Sequence, residues 1–563
     1  MSNPRSIHIL TSTALALVLA IPFMSIAIET NNLAAVAIAG TPPETVPAQA
    51  AVVAAVPRTY LPAPASAASA PETATATEQV IPTATEQTAE RDPLAALNPT
   101  DRALAEKIRD LLATKADRFF ASKKERTAVV EFYQNRNLTP LWLENGVQNA
   151  RAEAVIAKLK TADSDGLDPS EYRPPNFAGL APDALAEAEL KLTHTLLTYA
   201  RHLQAGRFPY VRVSRNIELP QLAPEPADIL NSVASAEEAG KVLNGFSPQQ
   251  EPYRKLKAML AELRGKSAKG ESSRQIETVI ANMERWRWYP RDLGSAHILV
   301  NLPDFTLKVM HNGAQAWTTR IVIGKPGMPT PLLSETMKYI TVNPTWHVPQ
   351  SIVKNEYLPA LAQDPTVLER MGLRVSYNGG QVEVTQPPGE GNALGRIRFN
   401  FPNRFSVYHH DTQDKHLFAQ DFRAYSHGCM RIQDPAKYAE VLLNIARPRE
   451  HWTAERIKRM FGTAEQDVQL QPIPIWVHLT YQTAFIDNAG KLEIRGDVYN
   501  LDSRTLAAIK SVRGTEEPGA ERKQDMVSGT GAKSARSART AGQSTMYPAP
   551  IYARPLSSQP IYR

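Results

Sequence analysis

The sequence of 563 residues contains a single cysteine, Cys429, within "YSHGCMR" (425–431). A thiol attacks carbonyl carbon only as the thiolate, and at its ordinary pKa near 8.5 only a few per cent is ionised at neutral pH. A histidine that takes the proton overcomes this, which is the Cys–His arrangement of acyl-transfer chemistry. Three histidines compete for that role: His409, His410 and His427. His427 is close in sequence, but two residues along a tight loop need not face the sulfur. His410 ends the strand-like run "FSVYHH", and the fifteen residues 411–425 are enough to form a loop that returns Cys429 beside it. Strand alternation would turn His409 to the opposite face. Gly428 permits close backbone approach or a positive φ, and the amides of Gly428 and Cys429 could then point at a developing oxyanion. Ser426 opens the turn, and Arg431 could grip a substrate carboxylate. Other readings stay open on residues alone. Cys429 could be a small buried hydrophobe, and His410 a satisfied strand-end histidine. A metal site has little support, because there is no CxxC and no HxxxH.

The elements that must position these groups divide into two kinds. Residues 98–290 show helical spacing: "NPTDRALAEKIRDLLATKADRFF" places Leu104, Ile108, Leu111, Leu112, Ala116 and Phe119 on one face behind cap-type residues. Further helical runs follow, to "RQIETVIANMERWRW". After Pro290 the pattern changes to β-branched and alternating runs at 297–310, 317–324, 338–346 and 374–384, the last a tight hairpin around "NGG". "RIRFNF", "FSVYHH" and two late strands continue this to about residue 505. One helix, "PAKYAEVLLNIARP", interrupts them. The expected fold is therefore multidomain α + β, a helical domain at 98–290 followed by a mainly-β domain at 291–505. A helical insertion at 348–372 lies close to the motif and reads equally as a lid or as a crossover.

The ends differ from the middle. "MSNPRSIHILTSTALALVLAIPFMSIAIET" has one Arg ahead of an apolar run and "AIAG" offers a cleavage site after Ala39, so residues 1–39 read as a signal peptide or, uncleaved, an N-terminal membrane anchor. Either places the rest in the periplasm or cell envelope. Residues 40–97 read as an Ala/Pro-rich flexible linker. The tail 506–563 is basic: from Val512 on it has eight Lys/Arg against four Asp/Glu, or +4 of the chain's +6. A solvated, disordered tail accounts for that, and nucleic acid is not an expected partner. The export reading makes the cysteine count informative, since a lone thiol cannot form an internal disulfide where disulfides persist.

"HHDTQDKHLFAQDFRAYSHGCMRI" (409–432) closely resembles the active-site signature of the YkuD-type L,D-transpeptidases: a His, about fifteen residues, then Ser-His-Gly-Cys-x-Arg. "FYQNRNLTPLW" (132–142), "NMERWRWYP" (282–290), "VNLPDFTLKV" (300–309), "GKPGMPTP" (324–331), "VNPTWHVPQSI" (342–352) and "YQTAFIDNAGKLEIRGDVYNLD" (481–502) extend the likeness to the YcbB-like subgroup. The three-helix peptidoglycan-binding module common in that subgroup is missing between residues 260 and 280. The resemblance implies that Cys429 is the nucleophile and His410 the base and then acid, with Ser426, His427, Gly428 and Arg431 holding the loop or the substrate. It implies a 3–3 cross-link between peptidoglycan stem peptides through a cysteine thioester, carbapenems as covalent inhibitors, 348–372 as a capping segment, and no metal or other cofactor. Water as acceptor would give an L,D-carboxypeptidase, and a protein lysine would tether an envelope protein to the wall. A non-catalytic wall-binding scaffold is the remaining alternative.

Overall fold

A computed structural model describes residues 94, 96–266 and 273–512. The expected signal or anchor, the linker apart from a few residues before 98, and the tail beyond 512 lie outside the described residues. Among the described residues no helix is long and apolar enough to cross a membrane.

The helical part begins where the sequence supplies a cap. Asn98 accepts from the Asp101 amide and a Pro opens α1 (Pro99–Phe119). There follow α2 (Lys123–Asn135), a short hairpin of β1 (Leu143–Glu144) and β2 (Val147–Gln148), then α3 (Ala150–Lys160), α4 (Pro182–Ala205), α5 (Pro226–Ser235) and α6 (Ala239–Val242). They bury one apolar core that includes Leu104, Tyr133, Trp142, Leu159 and Leu197. "FYQNRNLTPLW" is held by a carboxylate inside this core. Glu189 on α4 accepts from the Tyr133 hydroxyl at 2.8 Å and from the Leu141 and Trp142 amides, and burial pushes its pKa up to about 7.

The second core is larger and gathers residues from before the expected boundary at 290. β3 (Ile217–Glu218) pairs in parallel with a strand of the main sheet. α7 (Glu251–Lys266) and α8 (Ser273–Trp286) bury Tyr253, Leu256, Leu260, Val279 and Met283 in the same cluster as the sheet. "ERWRW" supplies the polar ties. Arg287 reaches Glu284 at 2.8 Å and the Tyr253 hydroxyl at 3.0 Å, and Arg285 reaches Asp502 at 2.6 Å.

The sheet runs through β4 (Ala296–Asn301), β5 (Thr306–His311), β6 (Ala314–Gly324), β7 (Leu332–Met337) and β8 (Tyr339–Val342). The insertion follows, with β9 (Trp346–His347), α9 (Gln350–Ile352), a π-helical turn (Val353–Tyr357), α10 (Leu358–Gln363), α11 (Val367–Arg370), β10 (Arg374–Asn378) and β11 (Gln381–Gln386). The sheet resumes with β12 (Ile397–Asn400), β13 (His409–His410), β14 (Ala424–Ser426) and β15 (Met430–Ile432). It ends, after α12 (Pro435–Ala446) and α13 (Ala454–Lys458), with β16 (Gln466–Gln469) and β17 (Ile475–Thr480). A hairpin of β18 (Ala484–Ile486) and β19 (Leu492–Ile494) and helix α14 (Leu501–Ser511) close the described chain. The spatial order is β16-β8-β12-β13-β15-β6-β5-β4-β17-β7-β3, with β14 also on β6. β6 is long enough to pair with β5 along its first part and with β14 and β15 at its end, which carries the Cys429 turn onto the sheet.

Three expectations are corrected. The hairpin 374–384 is not part of the main sheet: β10 and β11 pair with β9 in a separate three-stranded sheet. The insertion is thus longer than 348–372, and it has its own core of Val348, Ile352, Val353, Leu368, Leu373 and Val384. "FSVYHH" is extended only at its last two residues. Asn403 accepts from the Phe405 and Val407 amides and Ser406 takes a left-handed φ of 54°, so the chain turns where alternation suggested strand. The folded chain also passes 505, because α14 buries Leu501, Thr505 and Ala508.

Candidate active site

β13 lies between β12 and β15. It pairs antiparallel with β12, placing Arg398 opposite His410, and in parallel with β15, placing His409 beside Met430 and His410 beside Arg431. The parallel register brings Cys429, one residue before β15, alongside Tyr408, whose carbonyl accepts from the Met430 amide at 3.1 Å. Cys429 and His410 therefore lie on neighbouring chain segments, offset by two positions along the ladder, a spacing that alternation puts on one face. His409 does turn to the other face: its ring packs 4.9 Å from Phe401 and its Nδ1 is 3.1 Å from the Tyr438 hydroxyl in the core.

His410 is oriented by its own loop. Its Nδ1 is 2.5 Å from the Asp411 carbonyl oxygen. A carbonyl only accepts, so the proton sits on Nδ1 and Nε2 keeps its lone pair. The Asp411 carboxylate fixes that carbonyl by accepting from the Thr412 amide at 2.7 Å, the Arg396 amide at 2.9 Å and Lys415 Nζ at 2.6 Å. Burial, aided by the Arg431 charge, lowers the His410 pKa to about 3. Burial pushes the Cys429 thiol up to about 11. The Tyr408 amide and hydroxyl and the charges of Arg431 and Arg398 oppose that rise. Cys429 retains intermediate solvent exposure, so water reaching the sulfur works against part of the upward push. The resting pair is a neutral thiol and a neutral imidazole.

The turn that carries Cys429 is self-bonded. Ser426 Oγ donates to the Cys429 carbonyl at 2.5 Å and accepts from the Gly428 amide at 3.2 Å. That bond occupies one of the two amides the sequence suggested for an oxyanion. Gly428 has φ +116°, a conformation L side chains rarely adopt. Its carbonyl accepts from Thr330 Oγ1 at 2.8 Å, and Thr330 Oγ1 in turn accepts from the Gly324 amide at 2.9 Å. The Lys325 amide donates to the Ser426 carbonyl at 2.9 Å. "GKPGMPTP" thus braces the turn from β6.

Arg431 does not lie open to a substrate carboxylate. Its Nη1 is 2.7 Å from Asp414 Oδ2 and its side chain is largely buried, so it ties β15 to the loop after His410. His427 points away from the sulfur's strand neighbours toward the inserted subdomain, with Nε2 2.8 Å from Glu356 Oε1 and 3.3 Å from Lys325 Nζ. Sequence reasoning missed four side chains here. Tyr408 was findable, since alternation puts it on the face of His410. Asp411 is next to His410, but only the folded loop shows that its carbonyl orients the ring, and Arg398 and Glu356 carried no local signal, because strand pairing and the inserted subdomain bring them in from a distance.

A family model described as "Scaffold domain" matches residues 127–260, and one described as "L,D-transpeptidase catalytic domain" (YkuD) matches residues 295–457. A Haemophilus influenzae protein that carries the L,D-transpeptidase name is 24% identical over 410 residues, taking in 68% of this chain and 79% of its own. A solved L,D-transpeptidase from Mycobacterium smegmatis overlaps 33% of this chain and 59% of its own, at 13% identity and a TM-score of 0.18. A solved L,D-transpeptidase in complex with imipenem overlaps 32% and 58%, at 14% identity and a TM-score of 0.16. The two domain matches together take in more than half of the chain, and with the Haemophilus relative they identify it as a member of the YkuD-type L,D-transpeptidases, in the subgroup that joins a Scaffold domain to the catalytic domain.

Proposed function

We propose that the protein forms 3–3 cross-links between peptidoglycan stem peptides through a thioester on Cys429. The observation that supports this most is the parallel pairing of β13 with β15 inside the matched catalytic domain, with His410 Nε2 left as an acceptor on the strand next to Cys429. Cys429 Sγ attacks the carbonyl carbon of the third residue, a diaminopimelate. His410 Nε2 takes the thiol proton, the S–C bond forms, and the C–N bond to the terminal D-Ala breaks as the same proton passes to the leaving amine. The side-chain amine of a second stem then attacks the thioester. A C–N bond forms, the S–C bond breaks, and the amine's proton returns through His410 to sulfur. Starting from a neutral pair suits this sequence, because the imidazole is unprotonated and ready to accept when the sulfur attacks.

Carbapenems present a strained amide to the same sulfur and are expected to acylate it. Export through residues 1–39 would put the reaction in the periplasm, where its polymer is. The test is a muropeptide digest of sacculi incubated with wild type and with Cys429→Ala. New 3–3 dimers with the wild type alone are expected. Tripeptides without dimers would make the protein an L,D-carboxypeptidase, a wall-linked lysine peptide would make it a protein-tethering enzyme, and no product from either protein would leave a binding scaffold.

A further inference from the structure

The inserted subdomain meets the Cys429 turn through one acidic side chain. Glu356 lies in the π-helical turn 353–357, a rare backbone form that recurs at functional sites. Its Oε1 is 2.8 Å from His427 Nε2, and Lys325 Nζ is 3.3 Å from the same nitrogen. Both nitrogen groups belong to the main sheet. Lys325 directly follows β6 and its amide holds the Ser426 carbonyl, while His427 is two residues from Cys429. The carboxylate comes from a subdomain with a separate core. His427 and Glu356 keep 28% and 40% of their side-chain surface exposed, so a ligand can reach the pair. A contact this exposed stabilises a fold little, and exchanging one carboxylate for another there costs little. Of the other cations near the sulfur, Arg431 is engaged by Asp414 and Arg398 lies over the Tyr408 ring.

We propose that Lys325 and His427 form a carboxylate-binding subsite for the stem peptide, and that Glu356 fills it until substrate arrives. The proposal deepens the function argued above and rests on it for the identity of the ligand. The carboxylate that replaces Glu356 is one flanking the scissile bond. Two groups meet that description: the side-chain carboxylate of the diaminopimelate and the carboxylate of the terminal D-Ala. Release of Glu356 by the incoming anion frees the subdomain from the turn as the donor stem enters, coupling occupancy to opening.

Binding of a fluorescent stem tetrapeptide tests this, measured by anisotropy on the full chain carrying Cys429→Ala, so that no reaction intrudes. Two analogues carry an amide in place of one or the other carboxylate. One of them is expected to bind on the order of tenfold more weakly than the acid, and which one identifies the group recognised. Adding Lys325→Met should weaken the acid by a similar factor and erase the difference between acid and amide. Adding Glu356→Gln should tighten the acid severalfold and leave that amide unchanged. Equal affinity for the acid and both amides, or an acid/amide ratio unmoved by Lys325→Met, overturns the subsite. Selective binding together with an empty muropeptide digest would sink the cross-linking function and leave the subsite standing.

Discussion

Tyr408 lies alongside Cys429 where β13 pairs with β15, its carbonyl accepting from the Met430 amide at 3.1 Å, and its amide and hydroxyl oppose the rise that burial imposes on the thiol pKa. The side chain closest in effect to the thiol is thus not a histidine. Tyr408 works against the burial that raises the Cys429 pKa, and loss of its hydroxyl should raise that pKa further. For Tyr408→Phe we expect alkylation of Cys429 by iodoacetamide to slow roughly tenfold at neutral pH, from loss of about 1.5 kcal/mol of charge-assisted hydrogen bonding. The full pH profile should move to higher pH. An unchanged profile would show that the hydroxyl does not act on the thiolate.

Gly428 makes the turn possible. At φ +116° an alanine is strained by about 1–3 kcal/mol, and the Ser426 and Thr330 bonds would resist relaxation. Gly428→Ala should keep the fold but lose most Cys429 acylation by a carbapenem, read by intact mass against a circular dichroism control. Full acylation in this variant would show that the turn tolerates another backbone path.

Thr330 should behave as a brace. Its hydroxyl joins the Gly324 amide to the Gly428 carbonyl, both buried. Thr330→Val leaves two buried groups unpaired at about 1–3 kcal/mol each, so the melting temperature should fall and acylation should slow together. Loss of neither would remove the brace from the account.

The buried histidines set an acid limit. His409 and His410 are lowered to about 3 and His478 to about 4, each chiefly by burial. The unfolded value is near 6.5, so below that pH the unfolded chain binds more protons than the folded one. Their stabilisation is complete above about pH 6.5 and is lost as pH falls toward 4. Glu189, raised to about 7, has the opposite sign: what it adds is present at low pH and lost as pH rises through 7. Denaturant midpoints should fall between pH 6.5 and 4.5, because burial also lowers His194, His202 and His297, and the six histidines outnumber the three raised acids, Glu189, Glu171 and Glu335. Initial acylation rates measured while the chain is still folded should hold level over the same range, since His410 stays unprotonated. A rate that halves at pH 6.5 would place an ordinary imidazole at the site.

Much of this was legible in residues and some was not. The spacing of Leu104, Ile108 and Phe119 shows α1 because a helix buries one face, and "YSHGCMR" shows its turn because Gly, Ser and Cys there are local requirements. His410 could be preferred over His427 because strand alternation and loop length are local too. The boundary at 290 misled because α7 and α8 carry the apolar stripe of any surface helix, and only packing decides that they cover the sheet. The hairpin 374–384 has the same alternation as main-sheet strands, and nothing in it names its partner, β9. Arg431 reads as a substrate grip until Asp414, seventeen residues earlier, is brought against it. Glu356 is an unremarkable acid in a helical run until the subdomain folds back over His427.

The central claim is that Cys429 carries the acyl group and His410 moves the proton. The most direct measurement is intact-mass spectrometry of the full chain after brief incubation with a stem tetrapeptide, for wild type, His410→Ala and Cys429→Ala. The account predicts an adduct equal to the tetrapeptide less its terminal D-Ala on the wild type, mapped to Cys429. It predicts slower formation by about 10²–10⁴-fold in His410→Ala, and no adduct in Cys429→Ala. An adduct of the same mass on Cys429→Ala would contradict it, as would wild-type kinetics in His410→Ala.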